Sequence, residues 1–135
     1  MHQFAGAIVS DPCGRILCQL RDEDPDIICP GIWSCTPGGL IENNETPKDA
    51  ILRELKEEFE IKVDKLESLL THEVDNGEYQ GVYHAFLADM VTPVKDVKCN
   101  EGQRAEFFLP EEALHLPQHP VSLIFLKAYI GLLSG

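Results

Sequence analysis

The segment that most constrains the fold is an amphipathic helix predicted to follow Thr46. Thr46 can act as the N-cap, and Pro47 suits the first helical position, where its missing N–H is not needed. Asp49 can complete a variant capping box and lies favourably in the positive field of the helix N-terminus. One sector of this helix is apolar, which predicts that it packs on a core. The apolar residues are Ile51, Leu52, Leu55 and Phe59.

Glutamates occupy another sector, predicted to lie roughly a third of a turn from the apolar one. Glu54, Glu57 and Glu58 stand at i, i+3 and i+4, a spacing that puts them on one helix face. Each like-charge pair costs a few tenths of a kcal/mol on an isolated helix, so the cluster is unfavourable unless a cation lies over it. A divalent metal ion would reverse that sign. The alternative is the solvated face of a surface helix in an acidic protein.

The residues around these glutamates follow a longer pattern with fixed spacing. Gly39, Glu45 and the run 53–58 resemble the Nudix box, G-x5-E-x7-R-E-U-x-E-E-x-G-U, where U is a bulky aliphatic residue. Leu55 and Ile61 fill the aliphatic positions. Chance agreement at the charged and glycine positions has a probability on the order of 10⁻⁴ or less per chain, so the resemblance is specific.

One position departs from the pattern, because Glu60 stands where the family usually has its last glycine. Such a glycine commonly lets a helix end in a left-handed turn. Glu60 therefore predicts a different helix exit or a strained one, away from the metal-binding face.

Similarity to Nudix hydrolases implies an α/β fold in which a mixed β-sheet is sandwiched between helices, with a single domain over residues 1–135. It also implies hydrolysis of a nucleoside diphosphate linked to another group, X. The implied cofactor is Mg²⁺ or Mn²⁺, since hard cations prefer oxygen ligands.

The resemblance further implies which residues bind metal and carry the reaction. The implied metal ligands are Gly39, through its carbonyl, Glu54, Glu57, Glu58 and Glu101. The implied catalytic residues are Arg53, Glu54, Glu57 and Glu101. Either Glu54 or Glu101 would accept the proton of the attacking water.

Other residues are expected to support these ligands or contact the substrate. By resemblance, Glu45 and Arg53 pair and hold the glutamate face in place. Arg21 closes a predicted strand, and its guanidinium suits phosphate oxygens, although a surface ion pair is the alternative. Gly38 and Gly39 allow a close backbone approach to metal or phosphate.

Glu101 lies in the connection 100–103, which precedes a predicted strand. A glutamate on a mobile, glycine-flanked loop facing the metal-binding helix can supply a ligand or a general base. A solvated loop acid is the alternative.

Composition excludes several classes of protein. A formal charge of −12 and a pI near 4.7 argue against a groove that holds long nucleic acid. The five cysteines are odd in number and lack C-x-x-C spacing, which predicts reduced thiols, mostly in the core, in a cytoplasmic protein. The N-terminus shows no charged leader, and no segment is long and apolar enough for a membrane span.

The rest of the chain predicts strands and two further helices. Trp33 is expected to anchor the core, and His72 and His84 to be ordinary core or hydrogen-bonded residues. Gln118 and His119 stand where related enzymes contact a base. The predicted strands are 4–10, 16–21, 33–36, 62–73, 79–89 and 105–109, and the predicted helices are 110–114 and one from Pro120 with Val121, Ile124, Ala128 and Leu132 on one stripe.

The MutT-like branch of the family is the favoured match because the domain is small and Arg21 is in place. It implies that the substrates are small nucleotides, namely nucleoside triphosphates and their oxidised forms. The implied products are a monophosphate and pyrophosphate. Tyr79 is similar to a residue of the dinucleoside polyphosphate branch. Nucleotide-sugar hydrolysis and a non-catalytic nucleotide sensor are further alternatives. We expect a monomer or a homodimer.

Overall fold

The computed structural model describes residues 1–27 and 29–134. The strands are β1 (Gln3–Ser10), β2 (Ile16–Leu20), β3 (Trp33–Ser34), β4 (Gly38–Leu40), β5 (Val63–Val74), β6 (Gly81–Met90) and β7 (Arg104–Phe108). The α-helices are α1 (Pro47–Phe59), α2 (Pro110–Ala113) and α3 (Pro120–Ser134), and a short 3₁₀ helix spans Val94–Asp96.

The strands form one mixed sheet with the order β3-β2-β1-β6-β5, while β4 pairs with β1 and β7 pairs with β2. The β1–β6 pair is parallel and the other pairs are antiparallel. Parallel pairing sets Phe4 opposite Tyr83 and Gly6 opposite Ala85. Residues far apart in the sequence therefore share one side of the sheet.

Helices cover both faces of the sheet, and the side chains of β1 alternate between the two layers. Ala7 and Val9 pack with Leu55 of α1, whereas Ile8 packs with Leu126 of α3. Trp33 is buried in the α3 layer, as expected. The predicted α/β/α arrangement is confirmed.

Strand bounds agree with the prediction to within a few residues, with two differences. The segment Gly38–Leu40 forms β4, a strand that was not among those predicted. The connection from β5 to β6 runs from residue 75 to residue 80, because β6 begins two residues later than predicted. Gly77 in this connection has a positive φ of 91°.

The predicted apolar faces of two helices need correction. In α1, Leu52 is 40% exposed and Ala50 is buried instead. At about 100° per residue, Glu58 lies between Ala50 and Ile51 around the helix, so this glutamate belongs to the buried sector. In α3, the buried sector is displaced around the helix axis from the predicted stripe, so that it includes Phe125 but not Ile124. The buried residues of α3 are Val121, Ser122, Phe125 and Leu126, whereas Ile124 and Leu132 are exposed.

Across the described ranges, none of the helices combines the length and the apolar character that a bilayer crossing requires.

Candidate active site

The N-terminus of α1 is built as the sequence indicates. Thr46 accepts a hydrogen bond from the Asp49 N–H at 3.1 Å, and Pro47 occupies the first turn. This cap fixes the start of the helix and therefore the direction in which its glutamates point.

Arg53 ties the glutamates of the box together. Its Nε and Nη2 donate to both carboxylate oxygens of Glu45, at 2.7 and 2.9 Å, so the expected pair is present in bidentate form. Its Nη1 donates to Glu54 at 3.0 Å and to Glu57 at 3.3 Å, and its Nη2 donates to the Leu40 carbonyl at 3.1 Å. Hydrogen bonds from Arg53 lower the pKa of Glu45 and, through the same contact, raise the pKa of the guanidinium.

Glu58 lies on the other side of this cluster, in a buried position. The residue is 6% exposed, and its Oε2 has no hydrogen-bond partner among the described residues. Burial, followed by the neighbouring carboxyl groups of Glu101 and Glu54, raises the pKa of Glu58 to about 10. Burial also raises the pKa of Glu54, although Arg53 opposes this. A buried acceptor beside two further carboxyl groups is a site that a cation would satisfy.

Glu57 is placed differently, because its side chain is 61% exposed and contacts Arg53. In the described part of the chain, no three His, Cys, Asp or Glu side chains are already arranged to hold a metal ion. The structure brings Glu54, Glu58 and Glu101 together and leaves Glu57 at the rim. The carboxyl oxygens of Glu54, Glu58 and Glu101 are the kind of ligand that Mg²⁺ and Mn²⁺ prefer, and the unpartnered Oε2 of Glu58 fits such an ion.

Gly38 and Gly39 bring the β4 backbone against the glutamate helix. A Cβ on Gly39 would lie 2.7 Å from Glu54 Oε1, so a larger residue there would displace that carboxyl group. Gly38 is confined more tightly, because a Cβ there would clash with the Ala5 carbonyl oxygen and lie 2.7 Å from the Cα of Gly6, which is opposite Gly38 in the sheet. The predicted role of the Gly39 carbonyl as a ligand is compatible with this closeness and stays a prediction.

The loop of Glu101 is held by hydrogen bonds rather than standing free as predicted. The Asn100 N–H donates to the Glu58 carbonyl at 2.8 Å, and Gln19 Nε2 donates to the Glu101 carbonyl at 2.8 Å. Gly102 has a φ of 89°, and a Cβ there would approach the Leu20 carbonyl to 2.8 Å. The loop is therefore fitted against both α1 and β2.

A cavity of about 300 Å³ opens beside the acidic cluster. Arg21, Gly38, Gly39 and Glu101 line it, so the three predicted substrate-binding residues lie in the same cavity as the loop glutamate. The sequence did not indicate the residues that form the rest of the wall. They include Phe4, Gln19, Ser34, Thr36, Tyr83, His84, Ser122 and Phe125.

Aromatic rings line part of this cavity. Phe4 and Tyr83 stack with ring centroids 4.7 Å apart and planes 14° apart. The ring of His119 meets Tyr79 edge-on at 5.0 Å. The cavity therefore combines a planar apolar surface with a charged wall that carries Arg21 and Glu101.

His119 faces the cavity as a neutral imidazole. Burial, and then the positive charge of Arg21, lowers the pKa of His119 to about 4. Its Nδ1 accepts the Val121 N–H at 3.2 Å, which leaves the proton on Nε2 as a donor. Gln118 instead bonds the Ala113 carbonyl at 2.9 Å and does not line the cavity. His84 bonds Gln3 at 2.8 Å, in agreement with an ordinary hydrogen-bonded role.

Comparison with known proteins supports the reading of the box. The NUDIX domain family model matches residues 2–129. A CTP pyrophosphohydrolase from Escherichia coli (strain K12) is 29% identical over 133 residues, which are 98% of this chain and 93% of that protein. An RNA pyrophosphohydrolase from Gluconacetobacter diazotrophicus is 43% identical over 57 residues, which are 40% of this chain and 34% of that protein.

Solved structures share the fold. The solution structure of the E. coli ORF135 protein has a TM-score of 0.78 and 27% identity, and the match covers 99% of this chain and 91% of that one. A MutT structure, from work on Aliivibrio salmonicida and Vibrio cholerae, has a TM-score of 0.75 and 18% identity over 96% of this chain and 98% of that one. The second likeness shows the fold alone.

Three observations indicate the same family. They are the glutamate helix α1, the glycine strand β4 against it and the family match over nearly the whole chain. Members of this family generally use divalent metal ions. The chain belongs to the Nudix family, with MutT-like proteins among its structural neighbours, and is a pyrophosphohydrolase that acts on phosphorus-containing anhydrides of nucleotide-type substrates.

Proposed function

We propose that this protein is a nucleoside triphosphate pyrophosphohydrolase, which cleaves a triphosphate, oxidised forms included, to the monophosphate and pyrophosphate. The observation that carries the proposal is the cavity that joins the Phe4–Tyr83 stack to Gly39 and Glu101. A nucleoside triphosphate has one planar base and one chain of anhydrides, and this cavity offers one surface for each. The CTP pyrophosphohydrolase from E. coli supports CTP as the first substrate to assay.

The size of the cavity supports a single nucleotide. About 300 Å³ is at the lower end of the range for small-molecule pockets, which favours one nucleoside over a dinucleoside polyphosphate. Tyr79 gives the dinucleoside alternative little support, because Cys29 Sγ donates to its hydroxyl at 3.3 Å and its ring lies against His119.

The groups proposed to hold Mg²⁺ or Mn²⁺ are the side chains of Glu54, Glu57, Glu58 and Glu101 and the Gly39 carbonyl. When bound, the metal supplies positive charge that offsets the charge of the diphosphate. Arg53 holds the carboxylates of Glu54 and Glu57 in register through the contacts described above. Arg21 is proposed to contact the phosphates from the cavity wall.

The proton of the attacking water needs an acceptor near the anhydride. Glu54 and Glu101 both flank Glu58, and either carboxylate can take this proton as water attacks phosphorus. The bond from phosphorus to the bridging oxygen then breaks, and pyrophosphate leaves.

The remaining expectations concern cell compartment and assembly. The five cysteines are all free, which suits the reducing cytoplasm. A single domain over residues 1–135, a monomeric or homodimeric state and the lack of a polymeric nucleic acid partner stay predictions.

A nucleotide panel tests the proposal. Canonical and oxidised triphosphates, nucleotide sugars and a dinucleoside polyphosphate are incubated with Mg²⁺, with Mn²⁺ and with EDTA, and the products are separated by ion-exchange chromatography. We expect a metal-dependent release of monophosphate and pyrophosphate from triphosphates. Tight nucleotide binding without any product would contradict the proposal and favour a nucleotide sensor.

A further inference from the structure

The loop that carries Glu101 closes the end of the glutamate helix. The Asn100 N–H donates to the Glu58 carbonyl at 2.8 Å, and its Nδ2 donates to the Glu57 carbonyl at 2.9 Å and to Glu60 Oε2 at 3.2 Å. The last carbonyls of a helix have no partner within the helix, so these bonds satisfy groups that would otherwise need water. Asn100, the residue directly before Glu101, is thus tied to the end of α1 by its backbone and its side chain.

The same loop is anchored on its other side by β2. Gln19, which is 6% exposed, donates from Nε2 to the Glu101 carbonyl at 2.8 Å. The Gln103 N–H donates to the Leu20 carbonyl at 2.8 Å, and its Nε2 donates to the Arg21 carbonyl at 2.8 Å. Glu101 is therefore fixed from two directions by groups that belong to different elements.

This double anchor has a consequence for the acidic cluster. The carboxyl group of Glu101 neighbours that of Glu58, so the backbone of the loop must be held for the two groups to stay together. Neutral amides hold the backbone in place without adding charge to the cluster. A side chain that binds a metal ion or acts as a general base needs such support to keep its geometry.

From these contacts we infer that Asn100 and Gln19 are positioning residues, which hold Glu101 against Glu58 so that both can serve the reaction. The inference rests on the proposed function. It assigns to this pair of amides the placement of the loop glutamate and no contact with the reacting atoms.

The experiment compares Asn100→Ala with wild type and with a matched control, Thr92→Val. Asn100 is exposed, so the variant is expected to fold. Thr92 also accepts one hydrogen bond across the chain, from the Lys62 N–H at 2.8 Å, but lies outside the loop 98–103. Three quantities are measured: kcat and KM on the best triphosphate, Mn²⁺ affinity from the electron paramagnetic resonance signal of the free ion, and deuterium exchange of the peptide around Glu101.

For Asn100→Ala we expect kcat and Mn²⁺ affinity each to fall about 10- to 100-fold, a range typical of partners that orient metal ligands. KM stays within about twofold, and exchange in the loop rises. Gln19→Met, which keeps the volume, is expected to lower Mn²⁺ affinity in the same direction. Thr92→Val leaves all three quantities near the wild-type values.

Two results would overturn the inference and leave the proposed function standing. Wild-type kcat and Mn²⁺ affinity in Asn100→Ala would show that the anchor is dispensable. Equal losses in Asn100→Ala and Thr92→Val would show a general effect on the fold. A wild-type protein that neither cleaves triphosphates nor binds Mn²⁺ would overturn the proposed function, and the inference with it.

Discussion

The two halves of the glutamate face solve the same electrostatic problem differently. On one half, the guanidinium of Arg53 bonds Glu45, Glu54 and Glu57, and the repulsion is balanced by a permanent cation. On the other half, Glu58 lies buried with an unpartnered oxygen and a raised pKa. The first half is complete as folded, whereas the second lacks a positive charge. An incoming cation would therefore stabilise the half around Glu58 more than the half around Arg53.

The largest effect should come from removing a proposed ligand on the exposed side. Glu57→Gln keeps the shape of the side chain but loses its charge, and we expect turnover to fall by roughly 10³-fold or more. Because the Glu57 side chain is 61% exposed, the free energy of unfolding should change by less than about 0.5 kcal/mol. Steady-state kinetics and urea unfolding check both values. Retained activity would reject Glu57 as a ligand.

The pH dependence of stability tests the buried half. Glu58 has a pKa raised from 4.5 to about 10, so the folded protein keeps a proton that the unfolded chain releases at neutral pH. In EDTA, the contribution of Glu58 to the free energy of unfolding is therefore full below about pH 4.5 and is lost as pH rises towards about 10. Unfolding curves between pH 5 and 9 measure this slope. Stability that rises steadily over that window would contradict the assignment.

Glu58→Gln should remove this slope and stabilise the metal-free protein. An amide needs no proton uptake on folding, and its NH₂ group can donate to the neighbouring carboxyl groups. We expect the free energy of unfolding in EDTA at pH 8 to rise by about 1–3 kcal/mol, the cost of an unsatisfied buried polar group. Adding Mg²⁺ should stabilise the wild type and not the variant. A destabilised Glu58→Gln protein would show that the carboxyl group is already satisfied.

A smaller effect is expected at the end of the helix. Glu60 adopts φ 55° and ψ 39°, the left-handed conformation that the family pattern reserves for glycine. Its N–H donates to the Lys56 carbonyl at 3.0 Å, which completes a left-handed helix cap. Glu60→Gly should therefore stabilise the protein by about 0.5–1 kcal/mol, reduced by the loss of the contact with Asn100. Thermal unfolding measures the change, and a lower midpoint would contradict the strain.

These residues also show what the sequence could predict. Local capping rules found the N-cap at Thr46. The family pattern, which spans one helix and its approach loop, indicated the pair of Glu45 with Arg53 and the strained exit at Glu60. The burial of Glu58 was missed because helical periodicity gives a direction around the axis and not the depth of the neighbouring layer.

Long-range pairing limited the rest. The Phe4–Tyr83 stack exists because β1 and β6 run parallel, and no local pattern sets that register. Likewise, Gln19 supports the Glu101 loop only through the pairing of β2 with β7. The wall of the cavity was therefore beyond the reach of motif and periodicity.

The central claim is that the buried half of the glutamate face holds a divalent cation. A crystal soaked in Mn²⁺, with anomalous data collected at the manganese edge, tests it most directly. We expect an anomalous peak within coordination distance of Glu54 and Glu58, close to the Gly39 carbonyl. A crystal soaked at a saturating Mn²⁺ concentration that shows no peak at these oxygens, or shows its peak at another surface, would contradict this expectation.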